Sequence, residues 1–206
     1  MVRILNKMIS KASKKTVVLR YRYLDPFVFI HINKTGGTSV SKALNIPLEH
    51  KTAMQFIDEM GQSAWDRKLS FVTVRNPWDK VVSHYHHRLQ SDHTDLAQNP
   101  IPFKEWVQRA YRDHDPAYYN NPILYSPQLD WISDAQGNIV VKEILRFEKL
   151  SEDVRQVMEK LNRKIELPHA RKSKRSDFRD YDDTETIDIV ADCFEPDITR
   201  FGYVYE

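Results

Sequence analysis

The chain has 206 residues, 41% of them hydrophobic and 11% aromatic, with a formal net charge of +2. That apolar content supports one folded domain with a proper core and excludes a disordered chain. The near balance of 31 basic against 29 acidic residues gives no global affinity for polyanions, so no nucleic-acid partner is expected.

Residues 1–22 are basic and mixed, and read as an extension ahead of a single domain over 23–206. They contain no apolar run long enough for a signal peptide or a membrane span. One cysteine, Cys193, cannot form an internal disulfide and reads as a packed helix residue. A cytoplasmic protein is therefore expected, unless an anchor has been removed.

The first strand-like run covers about 27–32. It leads into Asn33-Lys34-Thr35-Gly36-Gly37-Thr38-Ser39 and a helical pattern near 39–45. Strand, glycine-rich turn and helix together form a phosphate cradle. Adjacent glycines let backbone N–H groups converge on an anion, Lys34 adds positive charge, and Thr35, Thr38 and Ser39 add hydroxyls. The order differs from a Walker A loop, in which the lysine follows the glycines. A bare glycine turn is the plainer alternative, but the lysine and hydroxyls favour an anion site.

A helical pattern near 52–60 precedes a second strand-like run at 69–74, followed at once by Arg75-Asn76-Pro77-Trp78 and a helix to about 90. Pro77 suits the first helical turn, and Ser83 lies about two turns in. In an open α/β sheet ligands bind outside the carboxyl ends of strands. Lys34 and Arg75 can thus serve two anionic groups of one ligand. Further on, the pattern predicts helices near 103–112, 152–161 and 184–194 and a strand near 139–147. The helical apolar stripes, such as Phe103, Trp106, Val107, Ala110 and Tyr111, read as core. Segments 91–102 and 113–127 read as long loops. Gln128, Asp130 and Trp131 are open between core and ligand cleft. The basic run Arg171-Lys172-Ser173-Lys174-Arg175 reads either as a solvated loop or as an anion contact.

The string Ile30-His31-Ile32-Asn33-Lys34-Thr35-Gly36-Gly37-Thr38-Ser39, followed by Val74-Arg75-Asn76-Pro77-Trp78-Asp79-Lys80-Val81-Val82-Ser83, resembles the sulfotransferase family. The likeness is nearest to the branch of carbohydrate 2-O-sulfotransferases and bacterial homologues. It extends through Leu145-Arg146-Phe147-Glu148 to Arg200-Phe201-Gly202-Tyr203, covering roughly 27–203. The resemblance implies a P-loop-like three-layer α/β fold, with a central mainly parallel sheet flanked by helices. It implies 3′-phosphoadenosine 5′-phosphosulfate as co-substrate and no metal. Lys34, Thr35, Gly36, Gly37, Thr38 and Ser39 would bind the 5′-phosphosulfate. Arg75 and Ser83 would bind the 3′-phosphate, with help from Lys172 and Ser173. Asn33 departs from the proline often found before the lysine.

Sulfuryl transfer to a hydroxyl needs a base, and histidine suits neutral pH. Among the eight histidines, His50 occupies the interval between the two phosphate motifs that the resemblance assigns to the catalytic one. Without the resemblance it would read as a surface loop residue. His31, inside a strand, reads as a packed residue. His84 and His87 share a helix face, but two ligands without a third are poor evidence for a metal. Lys34 would also stabilise negative charge on the leaving phosphate, which makes it catalytic as well as donor-binding. The expected function is sulfuryl transfer to an acceptor hydroxyl, on a saccharide or glycan. A P-loop nucleotide-phosphate enzyme such as a kinase, or a non-catalytic nucleotide- or glycan-binding protein, are the alternatives.

Overall fold

The computed structural model describes residues 16–91, 94–165, 167, 176–181 and 183–205. Contacts divide the chain into two compact units. The first holds the described residues of Met1–Val74 and Trp131–Ala170, the second those of Arg75–Asp130 and Arg171–Glu206. Lys172 and Ser173, with the rest of the 171–175 basic run, lie outside the described residues.

The first unit is built on a parallel sheet of β1 (Phe27–Ile30), β2 (Leu69–Val74) and β3 (Glu143–Arg146), in that spatial order. Phe27 pairs with Leu69 and Ile30 with Val72, while Phe71 pairs with Glu143 and Val74 with Arg146. All four residues of β1 are buried, as expected for a strand covered on both faces. β3 is partly exposed at Ile144 and lies at one edge of the order. Residues 139 and 140, expected in this strand, are instead tied sideways, while the Lys142 N–H already donates to the Ser70 carbonyl of β2. Ile139 bridges Ser133, and the Val140 carbonyl accepts from the Trp65 indole at 3.3 Å.

Helices flank this sheet. A first helix, α1, occupies residues 16–23 and was not anticipated from the sequence. It buries Val17, Val18 and Tyr21, and the Tyr21 ring meets Phe27 and Phe56 edge-on at 6.1 and 5.4 Å. Part of the basic stretch assigned to an extension is therefore packed helix. The short α2 (Gly37–Ala43) follows the glycine turn. A reciprocal capping box starts α3 (Ala53–Met60). Thr52 Oγ1 accepts from the Gln55 N–H, and Gln55 Oε1 accepts from the Thr52 N–H. Gly61, at φ 87°, then turns the chain into α4 (Gln62–Asp66). After β3, α7 (Leu150–Lys160) buries Val154, Val157 and Met158 of the expected stripe, with Leu150 buried as well and Leu161, expected in it, half-buried just past its end.

The second unit is helical. Asn76 caps α5 (Pro77–Arg88) by accepting from the Trp78 N–H at 3.1 Å, and Pro77 takes the first helical position as anticipated. The helix expected over 103–112 forms as α6 (Phe103–Val107) and then widens to a π turn over Gln108–Arg112. Asp183 and Thr186 form a capping box for α8 (Thr184–Cys193). A last helix, α9 (Glu195–Phe201), ends at Gly202 in the left-handed conformation. Among their described residues the two expected loops carry single 3-10 turns, at Asp95–Ala97 and Pro122–Leu124. The chain thus has an α/β fold, with a parallel sheet and flanking helices.

Because Tyr21 is 1% exposed and contacts two core rings, Tyr21→Ala is expected to cost about 3 kcal/mol of stability. Urea denaturation measures this directly. A loss below about 0.5 kcal/mol, the range of an ordinary surface substitution, would show that α1 contributes nothing to the core.

Candidate functional site

The first motif folds as a tight turn with left-handed residues in the first unit. The chain stays buried through His31 and Ile32 beyond β1, then turns over residues 33–36 into α2. Lys34 adopts φ 65° and Gly36 φ 83°, both left-handed, so the turn coils back on itself. A Cβ on Gly36 would also lie 2.7 Å from Leu150 Cδ2. Gly37 is required for a different reason: a Cβ there would lie 1.9 Å from His31 Cδ2. The two glycines therefore answer one conformational and two steric demands. Thr35 is wholly buried, and its hydroxyl donates to the Ile32 carbonyl at 3.0 Å, bracing the turn. Thr38 is exposed, whereas Lys34 and Ser39 are half-buried. The first turn of α2 carries no acidic residue.

His50 lies in the same unit, after α2, and is held beside this loop. Its Nδ1 is 2.8 Å from the His31 carbonyl oxygen. A carbonyl oxygen only accepts, so Nδ1 carries a proton and donates, and in the neutral ring Nε2 keeps its lone pair. The His31 and His50 rings are 4.4 Å apart between centroids, and the edge of Trp131 approaches His50 at 6.2 Å. Trp131 itself is fully buried, as a core residue behind His50. Burial pushes the His31 imidazolium down to about pKa 3, with His50 and Lys34 adding to the effect. His31 is therefore neutral at physiological pH.

The second motif opens the second unit. Arg75 is buried and its guanidinium is clasped by Asp79 one helical turn on, with Nε and Nη2 at 2.7 and 2.6 Å from Oδ2. Its backbone is held as firmly. The Arg75 N–H donates to Gln128 Oε1, and Gln128 Nε2 donates to the Arg75 carbonyl, both at 2.9 Å. Gln128 is in turn fixed by Asp197, which accepts from the Gln128 N–H at 2.7 Å, Gln128 Nε2 at 3.1 Å and the Leu129 N–H at 2.9 Å. Gln128 is completely buried, so its role is to brace Arg75. Ser83 sits half-buried on α5. On the same helix Lys80 is fully buried, with Nζ 4.8 Å from the Phe194 ring centroid and no hydrogen-bond partner among the described residues.

Sequence patterns read His31 as packing, left Gln128 open and gave Lys80 and Asp197 no individual role. His84 belongs to a buried network, with Nδ1 3.0 Å from the Tyr111 hydroxyl and Nε2 accepting from Arg88 Nε at 3.0 Å. That arrangement engages both ring nitrogens. No metal-binding cluster occurs among the described residues.

Lys80 generates a test of this network. Burial lowers its pKa from 10.5 to about 8, with the Asp197 charge opposing and Arg75 reinforcing. Between those values the unfolded chain binds more protons than the folded one, so stability rises with pH. The slope from this one group is at most about 1.4 kcal/mol per pH unit. Chemical denaturation at intervals from about pH 8 to about pH 10 should show this contribution in the wild type and its loss in Lys80→Met. Equal pH slopes in the two proteins would mean that Lys80 titrates as an exposed lysine.

No curated protein matches the chain, and no solved structure matches it. The sequence does match the sulfotransferase family over residues 22–204, which takes in both motifs, His50 and the Gln128–Asp197 brace. With nearly its whole length matched, and with the glycine loop and the braced Arg75 in the positions just described, the chain belongs to the sulfotransferase family and transfers sulfuryl groups.

Proposed function

We propose that the donor is 3′-phosphoadenosine 5′-phosphosulfate and the acceptor a hydroxyl of a saccharide or glycan, with His50 as the base. The hydrogen bond from His50 Nδ1 to the His31 carbonyl carries this reading, because it leaves Nε2 as the proton acceptor on an exposed residue beside the Lys34 loop. In the proposed step the acceptor oxygen forms a bond to sulfur as the bond from sulfur to the bridging phosphate oxygen breaks. The acceptor proton passes to His50 Nε2, and Lys34 offsets the charge gathering on the departing phosphate. Residues Lys34–Ser39 take the 5′-phosphosulfate. Gly36 and Gly37 give backbone approach, Thr38 and Ser39 offer hydroxyls, and the Thr35 side chain stiffens the turn.

In the same reading Arg75 and Ser83 take the 3′-phosphate, and Asp79 and Gln128 present Arg75 in one orientation. Lys172 and Ser173 complete the hold on the nucleotide, on the strength of the resemblance alone. The motif likeness to carbohydrate 2-O-sulfotransferases supports a saccharide acceptor. The single cysteine accords with action in the cytoplasm. Among the described residues no helix is long and apolar enough to cross a membrane.

Calorimetric titration with 3′-phosphoadenosine 5′-phosphate tests the donor, with adenosine 5′-monophosphate as control. Tight binding that needs both the 3′-phosphate and Arg75, and is lost in Arg75→Ala, is expected. Equal binding of the control would reject the donor assignment. A screen of saccharides with labelled donor should then show His50→Ala slowing transfer on the order of 100-fold or more while product affinity is unchanged.

A further inference from the structure

We propose that the His31 side chain is a positioning residue, a neutral spacer wedged between the glycine loop and His50 that sets the place and tilt of the His50 ring and so keeps its Nδ1 on the His31 carbonyl. The proposal rests on the assignment of His50 as the base. Three observations converge on it. First, the His31 ring fills the space a Gly37 side chain would occupy, with Cδ2 and Nε2 at 1.9 and 2.4 Å from that absent Cβ. It is thus pressed against the first residue of α2. Second, the His31 ring lies 4.4 Å from the His50 ring at an interplanar angle of 39°, and stacks at 5.9 Å on Phe29 behind it. Third, His31 is 5% exposed and its Nδ1 has no hydrogen-bond partner among the described residues.

A polar ring buried at that cost needs a reason beyond filling volume, since an apolar side chain of similar size would carry no such penalty. Its location supplies one. His31 gives its carbonyl to His50 Nδ1 and its ring to one side of the His50 imidazole. Backbone and side chain of one residue therefore fix two degrees of freedom of the base, its tautomer and its tilt. Without the His31 ring at its side the His50 imidazole can tilt off that carbonyl, and the tautomer the hydrogen bond selects is then no longer held. Burial keeps His31 uncharged, so it adds no imidazolium beside a base that must accept a proton. Because the same ring abuts Gly37, the base and the loop share one rigid contact. A misplacement of about 1 Å between reacting groups is enough to slow a reaction on the order of 100-fold.

Nitrogen-15 histidine NMR of the ligand-free protein reads the His50 tautomer without any need for an acceptor. The wild type is expected to show His50 protonated at Nδ1. His31→Ala, which keeps the carbonyl and removes the ring, should shift His50 to a mixture with the Nε2-protonated form. His31→Gln, a neutral planar group of similar volume, should restore the wild-type pattern. Should His31→Ala fail to fold, Gly37→Ala supplies the same test by pushing the His31 ring from its place, and the His50 ring signals should move. Unchanged His50 signals in His31→Ala or Gly37→Ala, or failure of His31→Gln to restore them, would overturn the proposal. Full transfer activity in His50→Ala would instead overturn the assignment of the base, so the two failures are distinguishable.

Discussion

The parallel pairing of β1 with β2 is the constraint on which the rest depends. Its register sets Ile30 opposite Val72, so both strands finish at the same edge of the sheet. Parallel pairing also demands a crossover, which here is the segment containing α2, α3, α4 and His50. The glycine turn, the place of His50 and the helical return are thus consequences of one pairing choice. Each glycine in the turn is then forced by what surrounds it. Gly36 faces Phe147 and Leu150 from the end of β3 and the start of α7, and Gly37 faces His31 from the end of β1. The loop is moulded by the unit it belongs to.

The second unit meets the opposite problem, since it must hold a guanidinium steady among buried groups. Asp79 supplies the countercharge, and Gln128 locks the backbone on both sides of the Arg75 residue. Asp197 carries the expense of this arrangement. Desolvation raises its pKa even though three N–H donors and Lys80 favour the ionised form. Removing one member of such a network leaves another buried and unsatisfied, which costs more than the network contributes when whole. Rigidity at Arg75 is the return, and a prearranged guanidinium would lose less freedom in taking the 3′-phosphate proposed for it.

Local signals made much of this fold legible in the sequence. An apolar run marked β1 and the strand-like run over 69–74 marked β2, while Pro77 marked the start of α5 and helical spacing marked α3. What escaped did so for physical reasons. The stripe of α1 is only Val17, Val18 and Tyr21, set among basic residues, so its amphipathicity is faint until Phe27 and Phe56 are in place. Pro196 reads as a breaker, yet it opens α9, where a missing N–H is harmless. The predicted strand over 139–147 proved shorter because Ile139 and Val140 bond to Ser133 and Ile132, which no periodicity reveals. Gln128 and Asp197 are 69 residues apart, and only the folded chain joins them.

His31 shows how a residue of one ordinary appearance carries two jobs. Inside a strand-like run it reads as packing, and packing is what it does, between Phe29, Gly37 and His50. The packing surface, however, is the edge of the candidate site, where position is itself a chemical variable. An exposed histidine alone would interchange its two neutral tautomers freely, and only one of them presents a lone pair at Nε2. Tying Nδ1 to a backbone carbonyl of the strand that launches the loop removes that ambiguity without a second charged group. An acidic orienting partner would do the same for the tautomer. It would also set a negative charge beside the loop proposed to hold an anionic donor, where a neutral carbonyl and a neutral ring are the better choice.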